Sequence, residues 1–438
     1  MDLLRKSSFG LNLAHHRYGV IASLIIIGLA VITSLRIKNP VRWTKTLNVI
    51  FVLLLLIPLY QIVSAKVSDL INTRQQAELM DINQKDLHQA AQANPDIYYI
   101  IPDTYTREDA LFNYYHFDNT EFLLKLKDMG FYVADCSRSN YAHTRLSLAS
   151  SMNLDYLQNL GLDFTTATPK IESLDPFILN SLVQTELSKL GYKTVAFQTG
   201  YRFTDMQNAD YYIQTNSSNF FSPYIEPFEY LFLQNSAFRI LIDTQPDFVD
   251  RFIAPLGMQG SEYLVRIQNT FKDLTKVVEI ASPKFVFVHL DIPHHPFIFL
   301  PDGSINPDRR YYPSIYMPSG ELQKQGYVNQ VQYVNTMLYP ILEGIINNSE
   351  NPPIIVLQGD HGLAGDNRVK ILNAIYLPEK GIEDLYPSIS PVNTFRVIFN
   401  NYFGTNLPLL EDETYTSTYE NKMDLELIPE TSVNCLDK

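Results

Sequence analysis

The sequence predicts an α/β protein with a largely parallel, doubly wound sheet, preceded by two transmembrane helices. Three observations carry this. Uncharged apolar stretches fill about residues 18–35 and 46–65, each long enough for a helix to cross a bilayer core of roughly 30 Å. From Asp96 onward, short apolar runs alternate with amphipathic helical segments. Three of those runs end in acidic or imidazole residues, where open α/β sheets bind ligands.

The first stretch, YGVIASLIIIGLAVITSL, lies between Arg17 and Arg36, and the second, TLNVIFVLLLLIPLYQIVSA, between Lys45 and Lys66. A soluble core helix seldom lacks a polar face over such a length, and two consecutive stretches without a small-residue cleavage site do not read as a signal peptide. The connection carries Arg36, Lys38, Arg42 and Lys45 and no acid, which places it in the cytoplasm and both ends of the hairpin outside. Residues 1–66 therefore read as a multi-pass anchor in the cell membrane. Residues 67–95, polar and free of Gly and of Pro up to Pro95, read as a helical stalk. Asn94-Pro95 ends it, because the residue before Pro avoids helical geometry. Residues 96–438 read as an extracytoplasmic catalytic domain.

In that domain DIYYIIP, KTVAFQTG, KFVFVHLD, PPIIVLQGD and KILNAIYLP read as strands. NTEFLLKLKDMG reads as a helix closed by Gly130 in the C-terminal capping position. DPFILNSLVQTELSKLGY and EYLVRIQNTFKDLTKVVEIA each read as one helix. ELQKQGYVNQVQYVNTMLYPILEGIINN reads as a long helix with a candidate kink at Pro340, and VNTFRVIFNNYFG as a late one. This alternation favours a mostly parallel sheet covered on both faces. The aromatic stretch from about Tyr201 to Pro255 breaks the rhythm. Packing inside the domain is its simplest explanation, ahead of an insertion that covers the active site or approaches the membrane.

The strand ends supply Asp103, then His294 and His295, then Asp360, His361 and Gly362. A lone strand-terminal Asp is more often a turn or a cap. Asp-His-Gly after an apolar strand is a stronger signal, since two ligand types precede a flexible Gly. Together the three ends form a convergent set of carboxylates and imidazoles. Ser139–Ser150 leads from a loop into a helix, with Thr144 near its start, where free N–H groups and the dipole favour an anion. A plain N-cap is the competing reading of Thr144.

The bulk composition excludes some classes. The chain has 438 residues and a formal net charge of −13, without a basic tract, so no nucleic-acid partner is expected. Cys136 and Cys435 are its only cysteines, which is neither a disulfide framework nor a zinc motif.

PDIYYIIPDTY, SRSNYAHTRLSLASSMNLDYL, HLDIPHHPF and IIVLQGDHG, in this order, resemble the blocks of the alkaline-phosphatase superfamily. The nearest likeness is to bacterial membrane proteins of sulfatase-like or lipoteichoic-acid-synthase-like type, over roughly residues 95–412. The resemblance implies a metal site of Asp103, Thr144, Asp360 and His361, holding one divalent ion such as Mn²⁺, Mg²⁺ or Zn²⁺. It implies that Thr144 is both ligand and nucleophile, and that His294 holds the substrate oxyanion or assists the leaving group, with His295 a lesser substrate-binding candidate. Formylglycine-type sulfatases carry a Cys or Ser signature that Cys136-Ser137-Arg138 matches only superficially, and paired acids where this chain has Asp103-Thr104. The expected function is thus transfer or cleavage of a phospho-substituent on an envelope glycan or membrane lipid. Sulfatase activity and a catalytically inactive envelope-binding module are the alternatives.

Overall fold

The structure is a computed structural model. It describes residues 94–162, 169–214, 260–311, 318–363, 365–378, 380–418 and 421–429, with scattered positions among 28–60. The chain divides into two compact units, Met1–Arg74 with Phe221–Ser261, and Gln75–Phe220 with Glu262–Lys438.

In the first unit residues 48–53 are helical, and Val49, Ile50, Phe51 and Leu53 are exposed. Among the described residues no helix is long and apolar enough to cross a membrane. Most of the two expected spans, nearly all of the expected stalk, and residues 215–259 of the aromatic stretch lie outside the described residues.

The second unit is built on a seven-stranded sheet. Its strands are β1 (Ile97–Pro102), β2 (Tyr132–Val133), β3 (Lys193–Phe197), β4 (Tyr211–Ile213), β5 (Lys284–Leu290), β6 (Ile354–Gln358) and β7 (Asn373–Tyr376). They lie in the order β2-β7-β6-β1-β5-β3-β4. A separate antiparallel pair, β8 (Tyr415–Thr416) and β9 (Glu426–Leu427), follows near the C-terminus. The centre of the sheet is parallel: β1 pairs with both β5 and β6, and β3 pairs with β5 and β4. β7 is antiparallel to β6 and to β2, so the sheet is mixed at this edge. The reason lies in the connection. Gln358 is paired with Asn373, so the loop between β6 and β7 leaves and re-enters at the same end of the sheet, without the crossover helix that a parallel return needs.

The strands are continuous apolar runs because both faces are covered. Along β1, Ile97, Tyr99 and Ile101 enter one core and Tyr98 and Ile100 the other, the two-residue period of a strand. The first core is closed by the helices Thr144–Ser151, Asp175–Leu179, Leu182–Lys189 and Pro391–Phe403. The second is closed by Thr120–Asp128, Gly260–Leu274 and Gly320–Asn348. Side chains this deeply buried contribute about 1.5–3 kcal/mol each.

Most of the expected elements are present, with local differences. The segment DPFILNSLVQTELSKLGY is two helices. The chain breaks at Asn180, Ser181 caps the second helix by accepting from the Gln184 amide, and Asn153 accepts from the Leu182 amide. The helix Gly320–Asn348 runs through Pro340 to Asn348. Gly130 and Gly404 adopt the left-handed conformation after their helices. In the described part of the aromatic stretch, Tyr201 and Phe203 stack, and the Tyr212 hydroxyl donates to Asp205.

Gly359 follows β6 directly, and a Cβ there would run into the Tyr105 carbonyl oxygen. Gly359→Ala should therefore destabilise the domain by about 1–3 kcal/mol, as overpacking of backbone against backbone does. Chemical denaturation would measure this, and an unchanged midpoint would show that the two loops are not in this contact.

Candidate active site

β1 lies between β5 and β6, so three strand ends open side by side. Pro102 is paired with Leu290, and the residues that follow are Asp103 and Asp291. Ile100 is paired with Leu357, and three residues further along each strand stand Asp103 and Asp360. The register alone thus brings three carboxylates into one row. Asp103 is 1% exposed, Asp360 2% and His361 3%.

Little compensates these groups within the protein. Asp103 Oδ1 and Asp360 Oδ2 are buried without a hydrogen-bond partner. Asp360 Oδ1 accepts from the Thr104 amide at 2.9 Å. Thr104 has φ 65°, a strained value for a β-branched residue, and the Tyr327 hydroxyl donates to its carbonyl at 2.7 Å. Burial, with Asp360 and Asp291 alongside, pushes the Asp103 carboxyl well above its ordinary value, against the opposing pull of Arg368. His361 Nε2 stands 3.9 Å from Asp103 Oδ1 and 3.5 Å from Asp360 Oδ2. Its Nδ1 donates to the Gly362 carbonyl at 2.7 Å, which turns Nε2 toward the carboxylates. Burial and Arg368 hold the His361 pKa well below its ordinary value, so the ring stays neutral with a lone pair available.

These are the properties of a divalent-cation site: hard carboxylates with orphaned oxygens and a neutral, oriented imidazole. Ligand atoms of Asp103, Asp360 and His361 all lie within 4.8 Å of one another. Thr144 joins them, with its Oγ1 3.2 Å from His361 Nε2. It is the first residue of the helix Thr144–Ser151, whose N-cap is His143, without a side-chain capping bond. The N-cap reading of Thr144 is therefore replaced. Its hydroxyl faces the carboxylate cluster from a half-buried position, beside the free N–H groups of the helix start.

The loop that delivers Thr144 is held firmly. Asn140 donates to Ser390, Tyr156 and the Glu413 carbonyl, and accepts from the Val392 amide. Arg368 donates to the Ala142 carbonyl at 2.5 Å and lies 3.2 Å from His143 Nδ1. Burial, with Arg368 next in weight, lowers the His143 pKa to about 3, so this ring is neutral beside the nucleophile candidate.

His294 lies on the other side of Asp103, and a ring nitrogen of it groups with carboxylate oxygens of Asp103 and Asp291 within 4.8 Å. Its Nδ1 donates to the His295 carbonyl at 2.7 Å, which leaves Nε2 for chemistry. The His295 ring lies 4.2 Å from that of His294 and 6.4 Å from Phe297, at the margin of the cluster. The structure thus brings Asp103, Thr144, Asp360, His361 and His294 into one place, with His295 behind.

Asp291 and His289 are additions that sequence reading did not single out. His289 is buried in β5, with Nε2 3.7 Å from Asp103 Oδ2 and Nδ1 3.2 Å from the Thr204 hydroxyl. Burial lowers its pKa to about 4. Asp291 carried the same strand-terminal signal as Asp103. His289 carried another, an imidazole inside an otherwise apolar run.

The sequence model of the family described as Sulfatase matches residues 95–397. The chain belongs to the sulfatase family, within the alkaline-phosphatase-like superfamily, and is an enzyme acting on phosphoric or sulfuric esters. No curated protein matches it significantly. Among solved structures, it is similar to the C-terminal periplasmic domain of EptC from Escherichia coli, with 14% identity and a TM-score of 0.47 over 80% of this chain and 95% of that one. It is also similar to the C-terminal periplasmic domain of the phosphoethanolamine transferase EptC from Campylobacter jejuni, at 14% identity and a TM-score of 0.39 over 73% and 93%. A third is the integral membrane lipooligosaccharide phosphoethanolamine transferase A from Neisseria meningitidis, at 12% identity and a TM-score of 0.42 over 72% and 56%.

Asp360→Asn removes one of the charges that a cation at this cluster needs, while the buried strand before it is untouched. Purified Asp360→Asn protein should hold far less metal than the parent by elemental analysis, with an unchanged circular dichroism spectrum. Full metal content would remove Asp360 from the ligand set.

Proposed function

We propose that the protein is a membrane-anchored, metal-dependent phosphotransferase or phosphodiesterase, with Thr144 as nucleophile and an envelope glycan or membrane lipid as substrate. The observation that carries this reading is Thr144 Oγ1 set at the start of a helix, 3.2 Å from His361 Nε2, facing buried carboxylate oxygens that lack partners.

Asp103, Thr144, Asp360 and His361 would hold one divalent ion. When bound, it supplies Lewis acidity that favours the ionised hydroxyl and offsets charge on a transferring group. The remaining steps belong to the side chains. Thr144 Oγ1 forms a bond to phosphorus as the bond from phosphorus to the leaving oxygen breaks. The leaving oxygen takes a proton from His294 Nε2, the nitrogen left free by the Nδ1 bond to His295. An incoming water or alcohol then gives its proton to the same Nε2 and displaces Thr144 from phosphorus. The N–H groups at the start of Thr144–Ser151 hold the non-bridging oxygens.

Phosphate is favoured over sulfate by the fate of Cys136, which is disulfide-bonded. A disulfide sulfur cannot become the formylglycine on which the best-known sulfatases rely, and the nucleophile position is held by Thr144. The sequence has one other cysteine, Cys435. A disulfide also suits an oxidising compartment, as an extracytoplasmic domain requires. The exposed apolar helical residues Val49, Ile50, Phe51 and Leu53 support the anchor.

Thr144→Ala should bring turnover of an aryl phosphodiester to background, with stability within about 1 kcal/mol of the parent, since Ala is tolerated at a helix start. Thr144→Ser should retain measurable turnover. Aryl sulfate hydrolysis that survives Thr144→Ala and is lost in Cys136→Ala would establish the sulfatase alternative instead.

The topology is tested separately in intact cells. A thiol reagent that does not cross membranes should modify a cysteine engineered into residues 67–94 and spare one placed beside Arg42. The reverse pattern would put the catalytic domain in the cytoplasm and remove envelope substrates from consideration.

A further inference from the structure

Two sets of side chains with metal-ligand chemistry meet at Asp103. One is Asp103, Asp360 and His361, and the other is Asp103, Asp291 and His294. On ligand type alone both suit a divalent cation, and a carboxylate shared between them would bridge a two-metal centre. They differ in what surrounds them. Asp291 Oδ2 accepts from Arg266 NH2 at 3.0 Å, and the two side chains are only 9% and 11% exposed. No such cation is hydrogen-bonded to Asp103 or Asp360 in the first set among the described residues.

The guanidinium is built into its place. Arg266 lies on the helix Gly260–Leu274, and the Tyr263 ring one turn earlier sits 5.7 Å from its Cζ. The Tyr263 hydroxyl donates to the His294 carbonyl at 3.4 Å. From the other side the chain passes at Gly200, where a Cβ would come within 2.6 Å of Arg266 NH2 and 2.8 Å of Asp291 Oδ2. A side chain at this position would force the guanidinium or the carboxylate to shift. A guanidinium does not lose its proton in a protein, so its charge is permanent.

We propose that Arg266 stands in for a second divalent cation: its guanidinium neutralises Asp291, excludes metal from Asp103, Asp291 and His294, and confines the centre to one ion at Asp103, Asp360 and His361. The consequence is mechanistic. A second ion would draw on a ring nitrogen of His294, whereas the ion pair leaves that nitrogen uncoordinated. This inference rests on the metal reading of the first set.

The test is metal stoichiometry, independent of turnover. The purified full-length chain in detergent is titrated with Mn²⁺ and read by elemental analysis after desalting and by electron paramagnetic resonance. The parent should bind one Mn²⁺ per chain even in excess metal and give the spectrum of an isolated ion. Arg266→Gln should bind two, with the signature of an exchange-coupled pair, and Arg266→Gln combined with Asp291→Asn should return to one. Arg266→Lys keeps a positive charge and should stay at one. A coupled pair in the parent would overturn the inference whatever the variants do, which covers an Arg266→Gln protein that fails to fold. One ion in a folded Arg266→Gln protein would overturn it alone, leaving the first site standing. A parent that binds no Mn²⁺, Zn²⁺ or Mg²⁺ would overturn the first site and this inference together.

Discussion

Three buried carboxylates at neighbouring strand ends are the constraint around which the domain is arranged. β1 lies between β5 and β6, and the register sets Asp103 in line with Asp291 on one side and Asp360 on the other. Like charges so close and so dry repel and are poorly solvated. Each has a different relief. Asp291 Oδ2 is paired with Arg266 and Asp360 Oδ1 accepts from the Thr104 amide, while Asp103 lies between them; one oxygen of each, Asp103 Oδ1, Asp291 Oδ1 and Asp360 Oδ2, has no hydrogen-bond partner. A cation at Asp103 would therefore relieve the repulsion that Asp360 and Asp291 impose on it. At the opposite end of β1, Asp96 and Lys284 form a buried ion pair, and the Lys284 amide donates to Asp96 at 3.0 Å. That pair fixes β1 against β5 at the ends remote from the site. A slip by one residue would break it and misalign the acids at the same time.

Thr144, the proposed nucleophile, meets this row from the start of its own helix, and its placement depends on late sequence. Asn140 ties the loop before Thr144 to Ser390, Val392 and Glu413. Tyr141 stacks on Tyr415 with ring centroids 5.4 Å apart, and the Tyr415 amide donates to the Asn140 carbonyl. Each neutral hydrogen bond is worth about 1 kcal/mol, so the cluster is a firm support for the loop before Thr144. The segment around β8 is thus structural support for the site although it carries none of the reacting groups. Arg368, in the loop after Asp360, joins the two halves. It donates to the Ala142 carbonyl, and its charge also bears on Asp103.

The parts legible in the sequence are those governed by local pattern. Buried parallel strands read as apolar runs, and their ends showed Asp103, Asp360 and His361 because a charged residue directly after such a run has no role in the core. Thr144 was legible as a helix-start residue, although the N-cap itself is His143. Pairing decided what was missed. Asp291 sits in HLDIPHHPF as visibly as Asp103 sits in IIPDTY, but its partner Arg266 lies in a helix where an Arg reads as a solvated face. The antiparallel course of β7 depends on where its connecting loop closes, which apolar periodicity does not encode. The break at Asn180 reflects a tertiary bond from the Leu182 amide to Asn153 overriding a continuous helical pattern.

The division of labour around Asp103 is what the proposed role of Thr144 as nucleophile requires. An unassisted alcohol is a weak nucleophile near neutral pH, and the imidazoles beside Thr144 are weak bases: His361 Nε2, 3.2 Å from its Oγ1, also faces Asp103 and Asp360 and has its pKa held well below the ordinary value, and burial lowers that of His143 to about 3. In the proposed mechanism activation would come from positive charge, through the candidate cation site on one flank and the helix start on the other. Such activation works only where the surrounding acids do not cancel it. In the row of three, Asp291 is neutralised by Arg266, so a divalent ion faces two carboxylates, which balance its charge without reversing it. By pairing with Asp291, the Arg266 guanidinium would therefore also set the electrostatic strength of the first set.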